Sequence, residues 1–128
     1  MNAMANAEVF KLGGLASYNL ARVPEARGYF ESALKMNAAE CDSLRYLGLI
    51  DAAERSWQPA AGRFTSAAAC YRRAIDAMES ELAKKQADTS GLYAGQIAAI
   101  AADIAEARGL LEACSHNAEF ATRNAAPK

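Results

Sequence analysis

Apolar residues return every three or four positions through most of this chain, in blocks separated by breakers. Between positions 24 and 37, PEARGYFESALKMN, the residues Ala26, Tyr29, Phe30, Ala33, Leu34 and Met36 mark one face, and Glu25, Arg27, Glu31, Ser32 and Lys35 the other. Between 66 and 85 the inward set is Ala67, Cys70, Tyr71, Ala74, Ile75, Met78 and Leu82; between 105 and 115 it is Ala107, Leu110, Leu111 and Cys114. That spacing belongs to amphipathic helices. Pro24 suits a helix first turn, where its missing N–H costs nothing. Pro59, within SWQPAAG, reads as a helix end and loop, and Asp88-Thr-Ser-Gly91 as a third break. The pattern predicts helices over roughly 7–22, 24–37, 40–56, 63–86, 90–102 and 104–115. β-Branched residues are scarce, with valine only at Val9 and Val23 and threonine only at Thr65, Thr89 and Thr122, so the fold class is all-α.

The second helices echo one another. Ala26-x-x-x-Phe30-x-x-Ala33 aligns with Ala67-x-x-x-Tyr71-x-x-Ala74 and with Ala107-x-x-x-Leu111-x-x-Cys114. A small residue lets a neighbouring helix approach and the large one fills the groove. The first helices carry Gly14, Leu47-Gly48 and Gly95 where two backbones would nearly touch. These residues resemble the tetratricopeptide repeat, a helix-turn-helix of 34 residues, as three units over about residues 7–119. Three features depart from it, one being that Ser17, Asp51 and Ala98 stand where the usual tyrosine follows the glycine by three residues. No proline closes a unit, and the second-helix alanines Ala26, Ala67 and Ala107 stand 41 and 40 residues apart. The extra residues are assigned to a lengthened loop or helix end around 55–61 and to two added helical turns around 79–85. Residues 1–6 are expected to be disordered, Asn2-Ala3-Met4 reading as a cloning scar, and 120–128 to fray.

The resemblance implies an α-solenoid of antiparallel hairpins in a right-handed superhelical stack, whose first helices line a concave groove for a partner protein or peptide. The groove positions are Lys11, Leu15, Tyr18 and Asn19 in the first unit, Asp42, Arg45, Tyr46, Leu49 and Ala52 in the second, and Leu92, Gln96 and Ile100 in the third. Leu15 and Leu49 stand where a carboxylate clamp would need asparagine, so an apolar or helical ligand, or another protomer, is expected. Trp57 is either a binding hot spot or a plug for an irregular turn. Open apolar ends of so short a stack predict a homo-oligomer. The alternatives are a non-repeat helical bundle serving as an accessory domain of a larger protein, and a secretion-type chaperone.

Chemistry narrows the picture by absence of pattern. Fourteen Lys+Arg against fifteen Asp+Glu give a net charge of −1, which steers the chain onto neither nucleic acid nor an anionic membrane. The basic pairs Arg72-Arg73 and Lys84-Lys85 have acidic neighbours and read as solvated helix faces. No apolar run is long enough for a membrane span. Cys41, Cys70 and Cys114 form no C-x-x-C pair and read as small buried thiols in a reducing, cytoplasmic setting. His116, the one histidine, falls near the predicted end of the last helix, where a cation complements the dipole. No nucleophile elbow, phosphate loop or metal motif is present, so no enzyme activity, cofactor or metal is expected.

Overall fold

The structure is a computed structural model that describes residues 3–126. It has five helices and, among the described residues, no strand: α1 (Ala3–Asn19), α2 (Val23–Met36), α3 (Cys41–Ala53), α4 (Trp57–Gln86) and α5 (Ala94–Ala125). Both expected loose ends differ from this. Helix α1 starts within residues 1–6, and α5 continues through the stretch assigned to fraying. Met1, Asn2, Pro127 and Lys128 lie outside the described residues.

The first two hairpins follow one plan with a period of 34 residues. Helix α1 ends as Ala21 turns left-handed at φ 61°, and α3 ends as Arg55 does so at φ 60°. Arg22 N–H then donates to Ser17 C=O at 2.8 Å, and Ser56 N–H donates to Asp51 C=O at 2.8 Å. This is the Schellman closure, in which one left-handed residue lets the next amide reach back five positions. Gly14 lies against the Phe30 ring and Gly48 against the Phe64 ring. Ala26, Phe30 and Ala33 are fully buried, as are Ala60 and Ala67, with Phe64 1% exposed. Ala26-x-Gly28-x-Phe30-x-Ser32-Ala33 therefore recurs as Ala60-x-Gly62-x-Phe64-x-Ser66-Ala67.

This recurrence corrects the expected register. Ala67 is the counterpart of Ala33, not of Ala26, and Tyr71 and Ala74 lie two turns beyond Phe64 and Ala67, the true counterparts of Phe30 and Ala33. No loop is inserted around 55–61: Trp57 and Pro59 sit in the first turn of α4. Proline is accepted there for the same reason as Pro24 in α2. In an alanine-rich helix, small-to-large spacing repeats every two turns, so a shift of seven residues preserves the apparent match.

After the second hairpin the plan changes. Helix α4 runs to Gln86, and Gly91, at φ 81°, turns the chain back. The third hairpin does not form, because the expected helices 90–102 and 104–115 are one helix, α5. Nothing lies within 4 Å of a Cβ built on Gly95, so that glycine marks no close approach. Each helix packs on its neighbours in chain order, most extensively α4 on α5. One core joins Phe30 and Ala26 to Leu47 and Ile50. A second joins Ala60, Phe64, Ala67 and Tyr71 to Cys114 and Ala121, and a third joins Ile75 to Ile104 and Ala107. Leu111 packs at the edge of both the second and the third.

Cys41, the first residue of α3, is disulfide-bonded to Cys70 of α4, with Cα atoms 5.5 Å apart. Only Cys114 is a free thiol, and it is buried. The expectation of three free thiols fails because the pairing is between helices: 29 residues separate the two cysteines, and only the hairpin brings them together.

Candidate functional site

Lys11 and Arg45 occupy equivalent positions of the two hairpins, 34 residues apart, and converge on one carboxylate. Lys11 Nζ lies 3.5 Å from Asp42 Oδ2, 3.0 Å from Glu8 and 3.8 Å from Glu40. An Arg45 guanidinium nitrogen lies 3.8 Å from Asp42 Oδ1. Arg45 Nε–H also donates to Tyr71 Oη at 3.1 Å, and the Tyr71 hydroxyl donates to Asp42. Helix α3 begins here. Glu40 is its N-cap and accepts from Ser43 N–H at 2.7 Å, so acidic groups gather where the helix dipole favours them.

Aromatic rings continue the site. Arg45 sits 4.6 Å above the centroid of Tyr46, a cation–π contact. Tyr46 stacks on Phe30 at 5.2 Å, only 9° from parallel, and meets Tyr18 edge-on at 5.3 Å. Burial pushes the Tyr71 phenol up, and its hydrogen bond to Asp42 adds to this. Burial also raises the Cys114 thiol. Burial works to lower Lys11, but its hydrogen bond to Glu8 and the charges of Glu40 and Asp42 outweigh it, and the net shift is upward. Tyr71 and Cys114 are thus held toward their protonated forms and Lys11 toward its charged form.

Of the residues expected to line a groove, Lys11, Leu15, Tyr18, Asp42, Arg45 and Tyr46 come together around this network and its neighbouring core. Asn19 is exposed at the end of α1, and Leu49 and Ala52 are half-buried against the second core. The third-unit positions stand apart. Leu92 precedes α5 and is exposed, Gln96 is exposed in its first turn, and Ile100 packs on the third core. Helix α5 starts across the turn from Gln86, at the far end of α4 from the segment that meets α3. Tyr71, expected only to pack, is also the hydrogen-bond bridge of the network. Glu8 and Glu40 carried no signal, since only the fold aims them at Lys11. The buried Asp51 was likewise illegible; Arg27 of α2 reaches it at 2.8 Å and Glu54 at 2.9 Å, clamping the hairpins together.

The structure also places His116 and Trp57. His116 is exposed within α5, well before the helix end at Ala125, so it caps nothing. Trp57 meets the edge of Phe120 at 5.7 Å, anchoring the start of α4 to α5. No group of three or more His, Cys, Asp or Glu among the described residues is arranged to hold a metal. No described helix is long and apolar enough to cross a membrane. Comparison with protein-family models, curated proteins and solved structures gave no match.

Proposed function

We propose that this chain is a non-catalytic interaction scaffold, with two tetratricopeptide-like hairpins and a long helical pair, that binds a partner protein or peptide across α1 and α3. The observation that carries the reading is the 34-residue recurrence. It sets Lys11 and Arg45 side by side on one face and joins both to Asp42. Three carboxylates against two cations leave that face slightly acidic, and Tyr18 and Tyr46 supply amphipathic contact area of the kind binding surfaces favour. Leu15 and Leu49, half-buried register counterparts, suit an apolar or helical ligand. Self-association belongs to the same reading, supported by Val9 and Leu12, exposed on α1, and Leu20, exposed in the turn that follows it.

The accessory-bundle reading draws support from the C-terminal half, where α4 and α5 form a long antiparallel pair instead of a third hairpin. We combine the two: a stacked pair of hairpins, closed by a two-helix arm. The cytoplasmic expectation drew in part on free thiols, and the Cys41–Cys70 bond removes that part of its support, because disulfides persist in oxidising compartments.

Photo-crosslinking in source cells tests the scaffold. A photoreactive residue at Leu15 or Leu49 should capture a partner, and one at Glu31 or Thr65, exposed on α2 and α4, should not. Capture from all four positions alike, or from none, refutes the assigned face.

A further inference from the structure

At the ends of α1 and α3 the two hairpins leave a pocket of about 500 Å³, lined by Tyr18, Ala21, Val23, Ile50, Ala53 and Glu54. The same junction recurs one period later, between the start of α4 and the end of α5. There the counterpart of Val23 is Trp57, and its ring meets Phe120 of α5 at 5.7 Å. One junction is thus bridged by a Trp–Phe ring contact, while its equivalent has Val23 in place of the tryptophan, with Tyr18 and Ile50 beside it and open space. An apolar lining left to water forgoes both burial and dispersion contacts, which an aromatic side chain would supply.

Electrostatics narrows the occupant. Helices α1 and α3 end here and α2 begins here at Val23, so helix termini of both signs meet at the pocket and side-chain charge decides its character. The Glu54 carboxylate stands half-exposed at the pocket, with Arg27 on one of its oxygens at 2.9 Å. Arg22 and Arg55, in the adjoining turns, are exposed and are not part of the lining. Among the lining side chains the one charged group is therefore the Glu54 carboxylate, set in otherwise largely apolar surface.

We infer that this pocket is a socket for an aromatic side chain of a partner peptide, with a basic group beside it to meet Glu54. The inference rests on the scaffold reading and names the chemistry of its partner. It can fail alone, since the face around Lys11 and Arg45 can bind without it.

The test is an amide-shift titration of the full chain with two probes, tryptamine and indole-3-propionate. Tryptamine should shift the amides of Tyr18, Ala21 and Ala53, and bind about threefold to fivefold more tightly than the acid, the range of an exposed ion pair. Glu54→Gln should erase that preference while keeping indole binding. Val23→Trp, which copies the second junction, should abolish the shifts; Ala53→Leu fills the same space if the first variant does not fold. Absence of shifts at those amides with either probe, or shifts that survive in a folded filling variant, overturns the socket. Crosslinks from Leu15 and Leu49 that persist in a protein binding neither indole overturn the socket and leave the scaffold standing.

Discussion

Glycine shows most clearly how single residues govern this chain. A Cβ on Gly14 would lie 2.6–2.8 Å from three atoms of the Phe30 ring. That ring cannot step aside, because it is fully buried and stacked on Tyr46. Gly14→Ala should therefore cost about 1–3 kcal/mol, overpacking outweighing the ~1 kcal/mol gain in helix propensity. Gly109 sits inside α5 with nothing within 4 Å of its built Cβ. Gly109→Ala should stabilise by about 0.5–1 kcal/mol, since only the propensity and unfolded-state terms remain. Urea denaturation of both variants checks the pair. A Gly14→Ala protein as stable as wild type would contradict the close approach of α1 and α2 on which the packing of the first hairpin depends. The same residues show what single positions conceal. Gly14, Gly95 and Gly109 look alike in sequence, and only the helix that comes to face each one separates a packing glycine from a tolerated one.

Among elements, the helices were legible and their joints were not. Apolar periodicity marked α2, α3 and most of α4, and Asp88-Thr-Ser-Gly91 marked the turn after it. The split of α5 failed because an alanine-rich segment without proline offers no physical reason to stop. The repeat was visible as Ala-x-Gly-x-Phe-x-Ser-Ala twice, 34 residues apart, but the larger apolar set one heptad later drew the alignment to Ala67 and Tyr71. The cystine was hidden for a different cause: local spacing carries no information about a bond across 29 residues. Its effect on the joint is large, since closing such a loop removes unfolded-state entropy worth about 3–4 kcal/mol. Cysteine 41 and cysteine 70 immediately precede Asp42 and Tyr71, so the bond also holds the hydrogen-bonded pair in register. Reduction should lower Tm by roughly 10–15 °C in calorimetry. Alkylation under denaturing conditions, before reductant, should label Cys114 alone. Three labelled cysteines in protein from an oxidising compartment would contradict the pairing.

For the whole molecule, the arrangement is two register-equivalent hairpins followed by a long antiparallel pair. Stacking of the hairpins creates both features of functional interest: the Lys11–Asp42–Arg45 network on one side and the pocket beside Glu54 at the helix ends. Neither exists within a single hairpin. The network takes Lys11 from the first and Asp42 and Arg45 from the second, and the pocket takes Val23 from the first and Ile50 from the second. Lys11, Asp42, Arg45 and Tyr46 were named from sequence through the resemblance to a repeat, whose first helices carry equivalent positions. Glu8, Glu40 and the Tyr71 bridge required tertiary placement.

The central claim is that the two hairpins pack alike, and proton NMR reads this directly. Each α-proton pair of Gly14 and Gly48 should be shifted upfield by the ring beneath it and show cross-relaxation to Phe30 and Phe64 respectively. Gly28 and Gly62, the open counterparts in α2 and α4, should resonate near ordinary helical positions. Ordinary shifts for both Gly14 and Gly48, or a ring contact at only one of them, would contradict the 34-residue plan.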